Sequence, residues 1–95
     1  MIAKVKKWYV YILRLADDTL YTGITTDPER RLHEHNHTPR GSKYVRSRRP
    51  AVIVYLENGH TKASASVREY AIKQLPKVKK EALVCEYENS AIDTA

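Results

Sequence analysis

Three tyrosines stand near the N-terminal end of the chain. Tyr9 and Tyr11 alternate along one extended stretch, and Tyr21 opens another just before Gly23. Alternation puts Tyr9 and Tyr11 on one face of a strand. A phenol can position a water or a phosphate oxygen, and it can exchange a proton when nearby positive charge lowers its pKa from ~10. Tyrosine is also a common strand residue that fills a core and brings its hydroxyl to the surface, and for any one of the three alone that role weighs more. Further along, Arg31 and His35 are four residues apart and share a helix face. An arginine there can hold a phosphate through two parallel hydrogen bonds. A histidine beside it can move a proton or hold a second phosphate oxygen. A solvated basic helix face is the commoner meaning of such a pair. His33 and His37 also have the spacing of metal ligands, but no third ligand accompanies them and the spacing reads as coincidence. Glu69 lies between Ala65 and Ile72, off the Val67/Tyr70/Ala71 stripe. A carboxylate among apolar neighbours can bind a hard cation such as Mg²⁺, which often takes one carboxylate plus waters and phosphate. The competing reading is an ion pair with Lys73, worth about a few tenths of a kcal/mol.

The elements that would position these residues are legible in outline. Trp8 to Leu15 is aromatic and β-branched and reads as a strand. Trp8, Val10 and Ile12 fall on one face, Tyr9, Tyr11 and Leu13 on the other, which suits a central strand covered on both sides. Asp17 and Asp18 mark a turn, and Leu20 to Thr25 returns as the second arm of a hairpin. Gly23 within that arm suggests the close approach of another group. A helix follows from about Pro28 to about Asn36, capped by Asp27 or by a Thr26/Glu29 box, with Leu32 as its main apolar anchor. Then comes a basic loop with Pro39, Gly41 and Pro50, a third strand over Ala51 to Glu57, and an Asn58-Gly59 turn. A second helix spans about Lys62 to Leu75, with Ala63, Val67, Tyr70, Ala71 and Leu75 as its expected core face. Pro76 breaks it, and a short third helix runs to about Cys85, leaving an acidic, frayed tail over residues 86–95. The order ββαβαα implies an α/β (α+β) domain with a small, mostly antiparallel sheet.

Length and charge narrow the field. The 95 residues allow one domain, with its core over about residues 8–85, and exclude a Rossmann enzyme or a TIM barrel. No apolar run approaches the roughly 20 residues of a membrane span, and nothing reads as a signal peptide. The single cysteine, Cys85, excludes an internal disulfide and a cysteine-based zinc cluster, so a reducing cytoplasm is the expected location. The net charge is +6, and all of the surplus lies in residues 1–50. Its densest part holds Arg40, Lys43, Arg46, Arg48 and Arg49 with no acid among them, the footprint expected for a nucleic-acid partner.

Taken together, tyrosines, arginine, histidine and one glutamate on a basic fold form a phosphodiester-cleaving set. The sequence resembles the GIY-YIG nuclease family, most closely its small standalone YhbQ-type bacterial members. Tyr9-Val10-Tyr11 stands where the family has "GIY" and Tyr21-Thr22-Gly23 where it has "YIG". Asp27 to His35 (DPERRLHEH) resembles the family's arginine helix, Arg68 to Leu75 (REYAIKQL) its glutamate helix, and Lys43 to Tyr55 a segment of the standalone subgroup. The resemblance spans about residues 8–85.

It implies a three-stranded antiparallel sheet flanked by helices and a divalent-metal-dependent endonuclease. Carried over by position, Tyr11, Tyr21, Arg31, His35 and Glu69 are the expected catalytic residues, with Glu69 holding one Mg²⁺ or Mn²⁺. Arg40, Lys43, Arg46, Arg48 and Arg49 are the expected backbone-gripping residues, on DNA rather than RNA. His35 is expected to assist through the phosphate or the leaving oxygen. Tyr9 replaces the leading glycine of the first motif, and the downstream polar residue of phage homing enzymes has no clear counterpart. Without an added DNA-binding domain of the kind carried by the repair protein UvrC, the chain is expected to cut with little sequence specificity or by substrate structure, in repair or recombination, with a protein partner as one source of specificity. The competing functions are a non-catalytic nucleic-acid-binding module and a nuclease subunit active only with its partner. Oligomeric state is not legible.

Overall fold

The computed structural model describes residues 6–93. Its elements are β1 (Trp8–Arg14), β2 (Leu20–Thr25), α1 (Pro28–His37), α2 (Lys43–Arg46), β3 (Val52–His60), α3 (Lys62–Lys73) and α4 (Lys77–Asp93). The strands form one antiparallel sheet in the order β2-β1-β3. β1 is therefore the centre, as its two apolar faces predict. On one side Val10 and Ile12 are buried with Ala65, Ile72 and Val84 from the last two helices. On the other, Tyr11 and Leu13 are buried with Leu15, Val45 and Ala51, and Tyr21 and Leu32 pack against them. Each fully buried aliphatic side chain of this kind contributes about 1.5–3 kcal/mol. A slip of one residue would exchange the two faces, so this two-sided burial also fixes the register.

α1 starts as its sequence dictates. Asp27 is the N-cap, its Oδ1 accepting from the Arg30 N–H at 3.1 Å, and Pro28 takes the first helical position. The only buried residue of α1 is His35, so the helix rests on the sheet through that side chain and the half-buried Leu32.

Four expectations need correction. The core face of α3 is Ala65 and Ile72, with Arg68 and Glu69 half-buried between them, while Val67 and Tyr70 are 71% and 68% exposed. Positions 65, 68, 69 and 72 form one helical face. Two of its four members are charged, so a count of apolar residues selects the wrong side; their heads find partners at the rim, Arg68 on Glu57 at 3.1 Å and Glu69 on Lys73 at 3.5 Å. Asn58-Gly59 does not end β3. The strand continues to His60 with one extra residue opposite β1, a bulge that Gly59 accommodates at φ +81°. The basic loop contains a single helical turn, α2, which buries Val45. Finally, α4 runs to Asp93 rather than ending near Cys85, because no glycine or proline interrupts Lys77–Asp93. It is tied to β1 by Glu81, which accepts two hydrogen bonds from Arg14 at 2.7 and 2.9 Å. Residues 94–95 of the expected tail lie outside the described residues. Among the described residues, no helix is long and apolar enough to cross a membrane.

Candidate active site

Tyr11 is 3% exposed and sits opposite Gly23 in the β1–β2 pair. A Cβ at position 23 would stand 2.5 Å from Tyr11 Cζ and 3.0 Å from Cε2, and closer still to the hydroxyl. The phenol therefore lies across the backbone of the edge strand β2, through space that only glycine leaves free. Burial pushes the Tyr11 hydroxyl up to about 12, with Tyr21 adding to the rise; Arg31 opposes it and Glu69 reinforces it. Side chains from β2, α1 and α3 thus lie within electrostatic reach of one phenol.

The Tyr11 hydroxyl is bound to His35 Nε2 at 2.9 Å. The other ring nitrogen, Nδ1, accepts the backbone N–H of Ser42 at 3.2 Å. An amide N–H can only donate, so Nδ1 carries no proton. Burial, helped by the positive charge of Arg31 and Arg49, holds His35 down at about 4 and hence neutral. The ring proton is then on Nε2, which donates to Tyr11 Oη. His35 is fully buried with both nitrogens engaged. It fixes the position of the Tyr11 hydroxyl.

The loop after α1 is built around this histidine. Gly41 packs so closely that a Cβ there would stand 2.7 Å from both Glu34 O and His35 Cα. Arg49 donates to His35 O and Thr38 O, each at 2.6 Å, and so caps the C-terminal carbonyls of α1. Asn36 clasps Ala51 in both directions, at 2.9 and 2.7 Å. Arg31 donates to Glu34 at 3.0 Å and to Arg40 O at 2.9 Å.

Tyr21 stacks on Tyr44 with ring centroids 6.2 Å apart and meets the edge of His35 at 5.5 Å. Arg48 lies over Tyr44, its Cζ 3.7 Å from the ring centroid, and pairs with Asp17 at 3.0 Å. Of the five expected phosphate-gripping residues, Arg48 and Arg49 are therefore committed to internal partners. Arg40, Lys43 and Arg46 are exposed. His33 and His37 lie side by side, ring centroids 5.0 Å apart. No three His, Cys, Asp or Glu side chains converge on one metal-sized point among the described residues.

Residues 7–82 match the GIY-YIG catalytic domain family. The chain belongs to the GIY-YIG family. That family is one of nucleases. A UPF0213 protein of Desulfotalea psychrophila is 54% identical over 77 residues, covering 81% of this chain and 70% of that one. A UPF0213 protein of Natronomonas pharaonis is 49% identical, covering 82% and 91%. Among solved structures, the NMR structure of a UPF0213 protein from Bacillus halodurans matches with TM-score 0.54 at 42% identity, covering 83% of each chain. The NMR structure of a protein from E. faecalis matches with TM-score 0.59 at 37% identity, covering 93% of this chain and 92% of that one.

Within this GIY-YIG domain the structure gathers Tyr11, Tyr21 and His35 by direct contact, with Arg31 and Glu69 within electrostatic reach of Tyr11. Sequence reading missed Gly41, Ser42, Asn36 and Tyr44. Only Gly41 carried a signal, as one of three glycines in the chain.

Proposed function

We propose that the protein is a divalent-metal-dependent endonuclease that hydrolyses phosphodiester bonds of DNA with little sequence specificity or by substrate structure, in repair or recombination. The observation that carries the reading is the Tyr11 phenol, laid over Gly23 and held by His35, with Arg31 and Glu69 within electrostatic reach of it.

The donor set fits a hard cation. Glu69 is half-buried on the inner face of α3 and its only described partner is the exposed Lys73 at 3.5 Å, a long pair that little energy holds closed. One carboxylate without a protein cage suits Mg²⁺ or Mn²⁺, which keeps waters and takes phosphate oxygens for its other ligands. When bound, such an ion supplies electrostatic stabilisation of a charged phosphate. The chain's own residues do the rest. Arg31 leaves Glu34 and the Arg40 carbonyl to face the phosphate and stabilise its growing negative charge, a role whose loss typically costs about 3 kcal/mol of barrier. Tyr11, with its oxygen held by the Nε2–H of His35, has its own proton free to turn toward a water. At about 12 it keeps that proton in the resting protein and orients the attacking water; it becomes a base only as positive charge beside it lowers its pKa. Tyr21 borders the same space. Arg40, Lys43 and Arg46 grip the backbone without reading bases.

The test is nicking of supercoiled plasmid and of a labelled branched DNA with Mg²⁺, Mn²⁺ or EDTA, comparing wild type with Glu69→Ala. Metal-dependent cleavage by wild type and none by the variant is expected. Equal cleavage by both would remove Glu69 from the mechanism, and absence of cleavage with DNA still bound would turn the reading to a binding module.

A further inference from the structure

Tyr9 shares a sheet face with Tyr11 but takes no part in its cluster. It lines a separate open cavity of about 560 Å³ at the bulged end of the sheet, with Lys6, Lys7, Asn58, Gly59 and His60. That volume is in the range of small-molecule sites.

The chemistry of the lining is specific. Among the described residues, the Tyr9 hydroxyl and the Asn58 amide make no side-chain hydrogen bond, and Lys6 and Lys7 make no ion pair. Both lysines are exposed. The neighbouring carboxylate, Glu57, is already bound by Arg68 at 3.1 Å and by His60. The cavity is thus net positive. It offers an aromatic ring, a free amide and two ammonium groups. Gly59 opens its wall further: at φ +81° its missing Cβ would meet nothing within 4 Å, so a ligand can approach the backbone there.

An aromatic face suits a planar base, an amide can pair with its edge, and two lysines suit a phosphate. Position adds to this. Tyr9 and Tyr11 are two residues apart on one strand, about 7 Å along β1, so a chain whose phosphate lies at Tyr11 can place a neighbouring nucleotide at Tyr9. We infer that this cavity is a nucleotide subsite, with the base on Tyr9 and Asn58 and the flanking phosphate on Lys6 and Lys7. The placement beside Tyr11 rests on the nuclease reading; the binding of a nucleotide does not.

Amide-detected NMR titration of the metal-free protein tests it, with thymidine 5′-monophosphate as the probe and ribose 5-phosphate and thymidine as separate arms. The expected result is shifts centred on Tyr9 and Asn58–Thr61, with the whole nucleotide binding more tightly than either fragment. Tyr9→Ala should weaken binding at least about fivefold, the loss of one stacking contact, while Tyr9→Phe keeps it. Shifts confined to Arg40–Arg46 would overturn the proposal, as would ribose 5-phosphate binding as well as the nucleotide and indifferent to Tyr9→Ala. If Tyr9→Ala does not fold, the wild-type map decides. No step of this experiment needs cleavage, so a protein that binds here without cutting, or cuts without binding here, separates the two claims.

Discussion

Gly23 and Tyr11 face each other across the β1–β2 pair, and the ring of Tyr11 fills the volume in which any side chain at position 23 would begin. The glycine of the second motif thereby sets the pose of the tyrosine of the first. Gly23→Ala puts a methyl group against the hydroxyl end of a phenol that His35 already holds by its oxygen, so the ring cannot yield freely. Overpacking of this kind costs about 1–3 kcal/mol. The expected outcome is a lowered midpoint in urea and a cleavage rate reduced well beyond the fraction unfolded. A variant that cuts at the wild-type rate would show that the phenol does not need this pose.

Stability should depend on His35 in a definite pH window. Its folded pKa of about 4 lies below the ordinary value of 6.5, so the unfolded chain binds the proton more readily. Stability is then full above about 6.5, falls as pH drops toward 4, and levels below that. The whole interval is worth about 3 kcal/mol. Urea unfolding of wild type and His35→Gln between pH 7 and 5, above the carboxylate range, should show a slope in wild type that the variant lacks. Parallel slopes would place the imidazole in water.

The corrected face of α3 makes opposite predictions for two aliphatic residues seven and two positions past Ala65. Ile72 is fully buried and Val67 is 71% exposed. Ile72→Ala should cost about 2–5 kcal/mol, and Val67→Ala should stay within about 0.5 kcal/mol. Thermal or chemical denaturation of the two variants decides it, and a reversal would restore the amphipathic reading of the sequence.

Arginines of the basic loop should divide by role. Arg46→Ala removes an exposed cation and should lower the slope of log affinity against log salt by about one unit without changing stability. Arg49→Ala removes two hydrogen bonds of 2.6 Å from the end of α1 and should lower stability first. Salt titrations of DNA binding beside melting curves separate the two; a common effect on both would show that the loop has no such division.

How much of this was legible beforehand varies by residue. The central place of β1 was readable, because Val10, Ile12, Tyr11 and Leu13 leave neither face polar. The Asp27 cap and Pro28 fixed the start of α1. The face of α3 was not readable, since half of the buried side is Arg68 and Glu69, whose burial depends on partners from β3 and the helix itself. Nor was the role of His35, which follows from a backbone amide seven residues on. Side-chain types carry no record of what a main-chain N–H meets. Arg48 and Arg49 read as free cations because Asp17 and the carbonyls of α1 that engage them are distant in sequence or invisible in it.

The central position of the first strand also orders events during synthesis. Tyr11, Tyr21, Arg31 and His35 are all joined to the chain before any residue of β3, α3 or α4 exists. Until those arrive, β1 has one bare edge and an apolar face with nothing to rest on. A fragment ending at Pro50 would hold four of the five expected site residues but no cover for the Val10/Ile12 face, and it would stick to its own kind. The nascent chain is thus in need of protection until its second half has been made.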